Sequence, residues 1–191
     1  TEIGAIWQQS QIFYNEDVLT ARFIYFDTSV DDEIISETNS ETNPLPNARY
    51  NNSGSNDRDG IELEINYGNS LLFANLTYSK IYGDDQDNQP LWYLPADKLA
   101  LDTGFNFVDN TVKTGLRLIH NSERDVQVYD GASRSYSAGK HPNYTLLDLF
   151  VSWDISTALN VRLAVDNVLD EEYQVRAGTG GAIGDYGIGR N

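Results

Sequence analysis

The chain has 191 residues, enough for one domain, with a formal net charge of -16 and a sequence pI near 4.2. This charge argues against nucleic-acid binding, because phosphate contacts need clustered Lys and Arg. With no cysteine, a disulfide framework and a thiolate metal site are excluded, and no run reaches the roughly 20 apolar residues of a transmembrane helix. A mean hydropathy of -0.47 suits a soluble acidic protein, but also a transmembrane β-barrel, whose strands are only half apolar.

Alternation of apolar and polar residues with a period of two predicts an all-β, antiparallel fold. In "IELEINY" (61–67), for example, Ile, Leu, Ile and Tyr alternate with Glu, Glu and Asn, and helical spacing fits none of the six clear runs. The first two strands alternate poorly, so their ends are the least defined. The eight predicted strands span about 2–14, 18–30, 61–67, 71–82, 97–108, 111–128, 144–155 and 159–170.

The connections between these strands alternate between short and long. Residues 15–17, 68–70, 109–110 and 156–158 have the length and chemistry of hairpin turns. Four long connections, rich in Asn, Asp, Ser, Gly and Pro, span 36–59, 84–96, 130–143 and the residues from 176 onward. Tight turns at one end of the strands and long loops at the other are typical of an outer-membrane barrel, with periplasmic turns and extracellular loops.

Two further patterns favour strands that face lipid. The apolar faces of the six clear strands carry no charge except Lys80 and Asp97, both next to long loops. Aromatic residues gather at both strand ends, as membrane interfaces select: Tyr14, Tyr67, Phe107 and Trp153 by the short turns, and Tyr25, Tyr78, Tyr82 and Tyr144 by the long loops. The alternation predicts lipid-facing Leu72, Leu76, Leu116, Leu149, Trp153 and Leu163, and lumen-facing Glu62, Asp102, Arg117, Asp148 and Arg162.

Several motifs carry a family resemblance. "VDNVLDEEYQ" (165–174) resembles the segment before the last strand of TonB-dependent receptors, with Asn167, Val168, Leu169, Asp170 and Tyr173 matching. Weaker matches are Gly60, Glu62 and Glu64 in one strand, Tyr144, Asp148 and Leu149 in another, and Gly189 and Arg190 at the start of a final strand. The "GIGR" region (187–190) looks more like the haem receptors of this family than like its catecholate receptors.

The resemblance implies a barrel of 22 strands with an N-terminal plug, in the outer membrane of a bacterium. Residues 1–191 would form the C-terminal portion of that barrel, without the plug or the final strand. It further implies import of an iron chelate or haem, and coupling to the TonB complex through parts of the receptor outside this chain. Within residues 165–174 we expect a structural role, with a bulge or a change of side-chain parity at Asn167.

The most binding-capable group falls in the predicted loop 130–143. It contains Arg134, Tyr136, Lys140 and His141, a cationic and aromatic cluster in an acidic chain, suited to capturing an anionic ligand. We expect Arg134, Tyr136 and His141 to contact the ligand. No spacing supports catalysis, a cofactor or a local metal site, since His120 and His141 have no nearby partners in the sequence, so we expect no enzyme activity.

Two other interpretations remain open at this point. A self-contained barrel of eight strands, with a structural or adhesive role, would also place polar residues inside. A soluble β-domain that binds carbohydrate is the third possibility, because Trp92 and Tyr93 lie close to Asp-rich segments.

Overall fold

A computed structural model describes residues 1–37, 48–51, 54–88, 90–91, 94–130 and 135–173. No helix in these ranges is long and apolar enough to cross a membrane. The twelve strands of these ranges are β1 (Glu2–Ser10), β2 (Val18–Asp31), β3 (Ile34–Glu37), β4 (Ala48–Asn51), β5 (Ser55–Gly68), β6 (Leu72–Asp84), β7 (Lys98–Phe107), β8 (Val112–Asn121), β9 (Arg124–Asp130), β10 (Ser135–His141), β11 (Tyr144–Ser156) and β12 (Leu159–Val165).

Eight of these strands form one antiparallel sheet in the order β1-β2-β5-β6-β7-β8-β11-β12. Strands β3 and β4 form one separate hairpin, and β9 and β10 form another. β1 and β12 lie at opposite edges of the main sheet, so the described residues do not close into a barrel of eight strands. The antiparallel all-β class is therefore confirmed, whereas the self-contained barrel does not agree with the open sheet.

The register sorts the side chains onto two faces. Asp102 pairs with Arg117, which pairs with Asp148, so these three charged residues lie in one row. In the adjacent row, Leu116 pairs with Leu149, and directly paired residues point to the same side of a sheet. The eleven residues assigned above to lipid and lumen separate onto opposite faces without exception. We call these the apolar face and the polar face.

The apolar face is exposed rather than packed into a core. Leu163 is 70% exposed and Trp153 is 51% exposed. The large side chains of this face are mostly exposed on β12 and on the short-turn half of β11, and mostly half-buried on β5 to β8. Among the residues whose burial the structure describes, Ile24 and Val126 are the only buried hydrophobic residues. A soluble domain of this size would bury most of its large apolar side chains. The soluble carbohydrate-binding interpretation is therefore inconsistent with the structure, whose apolar face requires an apolar surrounding.

The short turns are staggered from strand to strand. Along the row that contains Leu149, Tyr67 lies one residue before the end of β5, whereas Leu149 lies seven residues before the end of β11. Strands that tilt against the axis of a barrel produce such a stagger. One hydrogen-bonded row therefore crosses several depths, close to the short-turn edge at Tyr67 and deeper at Leu149.

Most differences from the sequence-based expectations lie at the long-loop end. Residues 36–59 contain β4 and the first residues of β5, which begins at Ser55 rather than at 61. The strand expected at 111–128 ends at Asn121, and the expected loop 130–143 lies largely in the hairpin β9–β10. The strands expected to reach 14 and 170 end at Ser10 and Val165. Outside the lipid-spanning part, alternation is weak because neither face is consistently apolar.

The turn between β1 and β2 is organised by a buried carboxylate. Asp17 is 1% exposed and accepts hydrogen bonds from the backbone N–H groups of Ile12 at 2.7 Å, Phe13 at 2.9 Å and Tyr14 at 3.0 Å. The Tyr67 hydroxyl also donates to it, at 3.2 Å. Burial alone would raise the pKa of Asp17, but these donors stabilise the charged form and hold its pKa below the usual 3.8.

We expect Asp17→Asn to loosen this turn, because the amide keeps one acceptor oxygen and presents its N–H₂ group to the same donors. The protection of the Phe13 and Tyr14 amides against hydrogen exchange should fall, while Glu16→Gln, at an exposed neighbouring acid, should leave it unchanged. Because the pKa of Asp17 is lowered in the folded state, the stabilisation of the turn by its carboxylate is complete above pH 3.8. That stabilisation is lost as the pH falls through the folded-state pKa. Unchanged protection in Asp17→Asn would contradict this assignment.

Arginine substitutions measure depth on the apolar face. We expect Leu149→Arg and Leu116→Arg to destabilise the barrel by about 2–4 kcal/mol, and Tyr67→Arg by about 0–1 kcal/mol, since the cost of a cation is greatest at the bilayer midplane. Refolding titrations of the intact receptor into lipid vesicles would measure these differences. A penalty independent of position would show that these strands are not embedded in lipid.

Candidate functional site

A cluster of rings lies where the polar face meets the long connections. Tyr144, the first residue of β11, shares a polar-face row with Asn121 and Lys98. The Tyr173 ring packs against the Tyr144 ring, with centroids 5.0 Å apart and planes inclined by 33°. The centroid of the His141 ring lies 6.4 Å from that of Tyr144. We call His141, Tyr144 and Tyr173 the rim cluster. It offers aromatic faces and an imidazole beside the polar face.

His141 is buried, at 5% exposure, with one ring nitrogen unsatisfied. Its Nδ1 lies 3.1 Å from the Pro142 carbonyl oxygen. Because a carbonyl oxygen can only accept, Nδ1 carries the proton and donates it in this hydrogen bond. Nε2 has no hydrogen-bond partner among the described residues. In that neutral tautomer Nε2 carries a lone pair, which is the group that binds transition metals. A buried acceptor without a partner is uncommon and indicates a ligand-accepting position.

The hairpin β9–β10 places His141 at this point. His141 pairs with Arg124 in the backbone register, and the Arg124 guanidinium donates to the Leu94 carbonyl at 2.8 Å. Val126, two residues farther along β9, is 7% exposed. The hairpin is not hydrogen-bonded to the main sheet as a strand, and residues 122–123 and 142–143 connect it to β8 and β11. It is thus a separate two-stranded unit, and His141 brings it into contact with Tyr144.

The structure places the four residues of the expected cationic loop in different environments, or leaves them outside the described ranges. Arg134 lies outside the described residues, and Tyr136 stands opposite Tyr129 in the hairpin. Lys140 forms a salt bridge with Glu123, whose carboxylate raises the pKa of the lysine, so its charge is already compensated. The expectation of an open loop was wrong for His141, which is buried in a strand. Strand pairing of 124–130 with 135–141 is the physical reason.

Two members of the rim cluster were not anticipated as site residues from the sequence. Tyr144 was assigned to an aromatic belt, and Tyr173 only to the motif at 165–174. The motif at 165–174 is the sequence feature that connects the two tyrosines, because the turn within it brings Tyr173 back against β11. Ring contacts across a turn leave no periodic pattern in the sequence, so their partners become evident only from the fold.

The turn depends on Asn167, which is 5% exposed and has a φ of 50°. Its backbone N–H donates to the Asp148 carboxylate at 2.8 Å, and its side-chain amide both donates to the carbonyl and accepts from the N–H of Glu171, at 3.0 Å each. The N–H of Asp170 donates to the Asn167 carbonyl at 2.9 Å. β12 therefore ends at Val165 in a turn, instead of the bulge or parity change expected at Asn167.

We expect Asn167→Ala to destabilise the protein by about 1–3 kcal/mol, since the partly buried backbone N–H and C=O groups of Glu171 lose their partner and alanine tolerates a positive φ poorly. Asn167→Gly, which removes the same hydrogen bonds but relieves the backbone, should cost less. Chemical unfolding of both variants in detergent or lipid would give the comparison. Equal cost for the two would mean that the positive φ contributes nothing.

Comparison with known proteins identifies the family. The family model described as "TonB dependent receptor-like, beta-barrel" matches residues 1–168. The TonB-dependent heme receptor A of Haemophilus influenzae (strain Rd) is 26% identical over 94% of this chain and 28% of its own length. The protein of the same name from Haemophilus ducreyi is 25% identical over 63% of this chain and 19% of its own length. The chain thus spans less than a third of these relatives.

Solved structures show the same fold. The pyoverdine outer membrane receptor FpvA of Pseudomonas aeruginosa PAO1 superposes with a TM-score of 0.73, at 17% identity over 99% of this chain and 28% of its own. The FrpB iron transporter of Neisseria meningitidis gives 0.69, at 16% identity over 99% and 29%. All four proteins are named as receptors or transporters, and none as an enzyme. The chain belongs to the TonB-dependent receptors, the β-barrel proteins of the bacterial outer membrane.

Proposed function

We propose that residues 1–191 form the C-terminal portion of a barrel of 22 strands whose plug and final strand lie outside this chain. The open edges at β1 and β12 support this. In hydrocarbon, an unpaired strand edge leaves N–H and C=O groups without partners, so membrane sheets close. Further strands are needed at both edges, and the relatives are long enough to supply them, since this chain spans 28% of the first.

We propose that the intact receptor binds and imports an iron chelate, and that the chelate is haem. The two relatives named as heme receptors support this choice, and the Nε2 lone pair of His141 is the observation that carries it. An imidazole nitrogen is an iron ligand, and the faces of Tyr144 and Tyr173 suit a planar conjugated ring. Arg134 and Tyr136 would add contacts to anionic groups.

The remaining partners follow from the same proposal. Outer-membrane lipid covers the apolar face, whose large side chains are otherwise exposed. The TonB complex supplies the energy for import through parts of the receptor outside this chain. Since Tyr144 lies in a polar-face row and the apolar face is the one assigned to lipid, variants of the rim cluster should alter ligand binding without altering insertion into the membrane.

Binding at His141 requires the hairpin β9–β10 to move. At 5% exposure, the imidazole cannot reach a ligand as large as haem in the present arrangement. The hairpin is connected to the main sheet through short segments on each side. A shift of this two-stranded unit therefore exposes Nε2 without breaking the ladder of β8 and β11. Loops that move on binding are common in receptors of this architecture class.

We expect His141→Ala to weaken haem binding by cells carrying the intact receptor at least several-fold, because iron loses a ligand. The triple variant Arg134→Ala, Tyr136→Ala, His141→Ala should weaken it further. Binding isotherms at equal receptor abundance would measure both. The absorption change that accompanies imidazole coordination should disappear from the purified His141→Ala receptor.

His120 provides the matched control. Its Nδ1 lies 2.8 Å from the Thr145 hydroxyl, and its position in β8 places it on the apolar face. His120→Ala removes an imidazole of the same type, and we expect haem binding to remain at the native level. If the triple variant also bound haem like the native receptor, the rim cluster would be excluded as the site.

A further inference from the structure

The polar face changes its chemistry from row to row beside the rim cluster. Each row takes one residue from β7, β8 and β11, and from the long-loop edge inward the rows are Lys98–Asn121–Tyr144, Ala100–Ile119–Leu146 and Asp102–Arg117–Asp148. The first row lies at the ends of its three strands. A cation, an apolar stretch and an excess of carboxylates therefore follow one another inward from the edge.

The second row is wholly apolar although it belongs to the polar face. We call Ala100, Ile119 and Leu146 the inner apolar row. All three side chains are half-buried, and they lie side by side because their residues pair directly across the strands. Neighbouring apolar side chains on an otherwise polar wall indicate contact with an apolar group. Tyr144 borders this row, so the apolar surface is continuous with the rim cluster.

Lys98 supplies a positive charge at the edge of this wall. Its side chain is exposed, and it forms no salt bridge with any carboxylate of the described residues. Glu62 lies in the same row with Ser79 between, which puts its backbone about 10 Å from that of Lys98. A cavity of about 250 Å³ lies beside Lys98 and Ala100. The ammonium group therefore faces open space as an uncompensated charge.

Arg124 supplies a second positive charge at the same edge. Its guanidinium donates to the Leu94 carbonyl at 2.8 Å, and no salt bridge joins it to a described carboxylate. A guanidinium has five N–H donors, so others stay available. The Asp97 N–H donates to the Ser122 hydroxyl at 3.1 Å, and the Ser122 N–H to the Asp97 carbonyl at 2.9 Å. These bonds hold the segments of Lys98 and Arg124 side by side.

We infer that Lys98 and Arg124 bind the carboxylates of the ligand at the rim cluster, and that the inner apolar row receives its apolar edge. The ligand class is an amphipathic planar ring with two carboxylates on one edge, of which haem is a member. A carboxylate beside an ammonium or a guanidinium forms charge-assisted hydrogen bonds. The inference rests on the proposed function and deepens it, because it explains the choice of ligand by charge as well as by iron.

The third row fixes the orientation of such a ligand. Asp102 lies four residues from Lys98 along β7, or about 13 Å, and Asp148 lies in its row with Arg117 between. Two carboxylates against one guanidinium leave an excess negative charge, which repels the anionic edge of the ring. The carboxylates therefore point outward to the long-loop edge, and the apolar edge points inward to Ile119. A ligand in this orientation needs no passage deeper into the lumen.

Esterification of the ligand provides the test, because haem dimethyl ester has the same ring and iron as haem without its two negative charges. In the purified intact receptor, we expect Lys98→Gln with Arg124→Gln to weaken haem binding by about ten-fold or more and to leave ester binding unchanged. Glutamine at 124 keeps an N–H donor for the Leu94 carbonyl. The exchange Lys98→Arg with Arg124→Lys keeps both charges and should retain haem binding.

Two further variants complete the experiment. Lys140→Gln removes a lysine charge from the same hairpin, one that Glu123 compensates, and should bind both ligands like the native receptor. Ile119→Thr keeps a β-branched side chain and makes the inner apolar row more polar. We expect it to weaken binding of haem and of the ester to the same extent, since both present the same apolar edge.

The outcomes separate this inference from the proposed function. Native haem binding in the double glutamine variant would overturn the assignment of Lys98 and Arg124 and leave haem import standing. An equal loss for haem and ester would also overturn it, because the two residues would then act only by holding the hairpin in place. Native binding of both ligands by Ile119→Thr would remove the inner apolar row from the site. A native receptor that bound no haem would overturn the proposed function itself.

Discussion

Backbone hydrogen bonding between neighbouring strands is the constraint on which the rest of this structure depends. In a hydrocarbon surrounding, each N–H and C=O group must find its partner on an adjacent strand. Because side chains alternate, a slip of one residue would turn every apolar residue of a strand to the other face. The pairing of Asp102 with Arg117 and of Leu116 with Leu149 shows the register in place on adjoining rows. The proposed site inherits its geometry from it.

The same constraint determines what could be predicted from the sequence. Six strands alternate clearly because one face is apolar along their membrane-spanning length. Their ends were located to within two residues, apart from the early start of β5, the end of β8 at Asn121 and the end of β12 at Val165. The hairpin β9–β10 was missed because it lies outside the membrane-spanning part, where apolar and polar residues do not alternate regularly along a strand. His141 was found as a candidate by residue type. Its burial, and its contact with Tyr144, depend on the hairpin and could not be read from the chain.

The motif at 165–174 shows how a structural segment shapes a site. Asn167 ends β12 with a positive φ, its N–H binds Asp148, and its side chain holds Glu171. These contacts set the path of the next residues and bring Tyr173 onto Tyr144. An asparagine suits this position because its short amide bonds locally and tolerates a left-handed backbone. Of the motif, the proposal brings only Tyr173 against the ligand, and Asn167 acts by holding the turn that positions it.

Import imposes opposite demands on affinity along one wall. A ligand must be held firmly enough to be captured and loosely enough to leave, which favours several sites of graded strength. The rim cluster would hold iron through a directional bond to His141, which favours capture. The acidic row of Asp102 and Asp148 lies farther along the same face and repels an anionic ligand. On the proposed function, the energy-dependent step is therefore needed for a bound ligand to leave the rim.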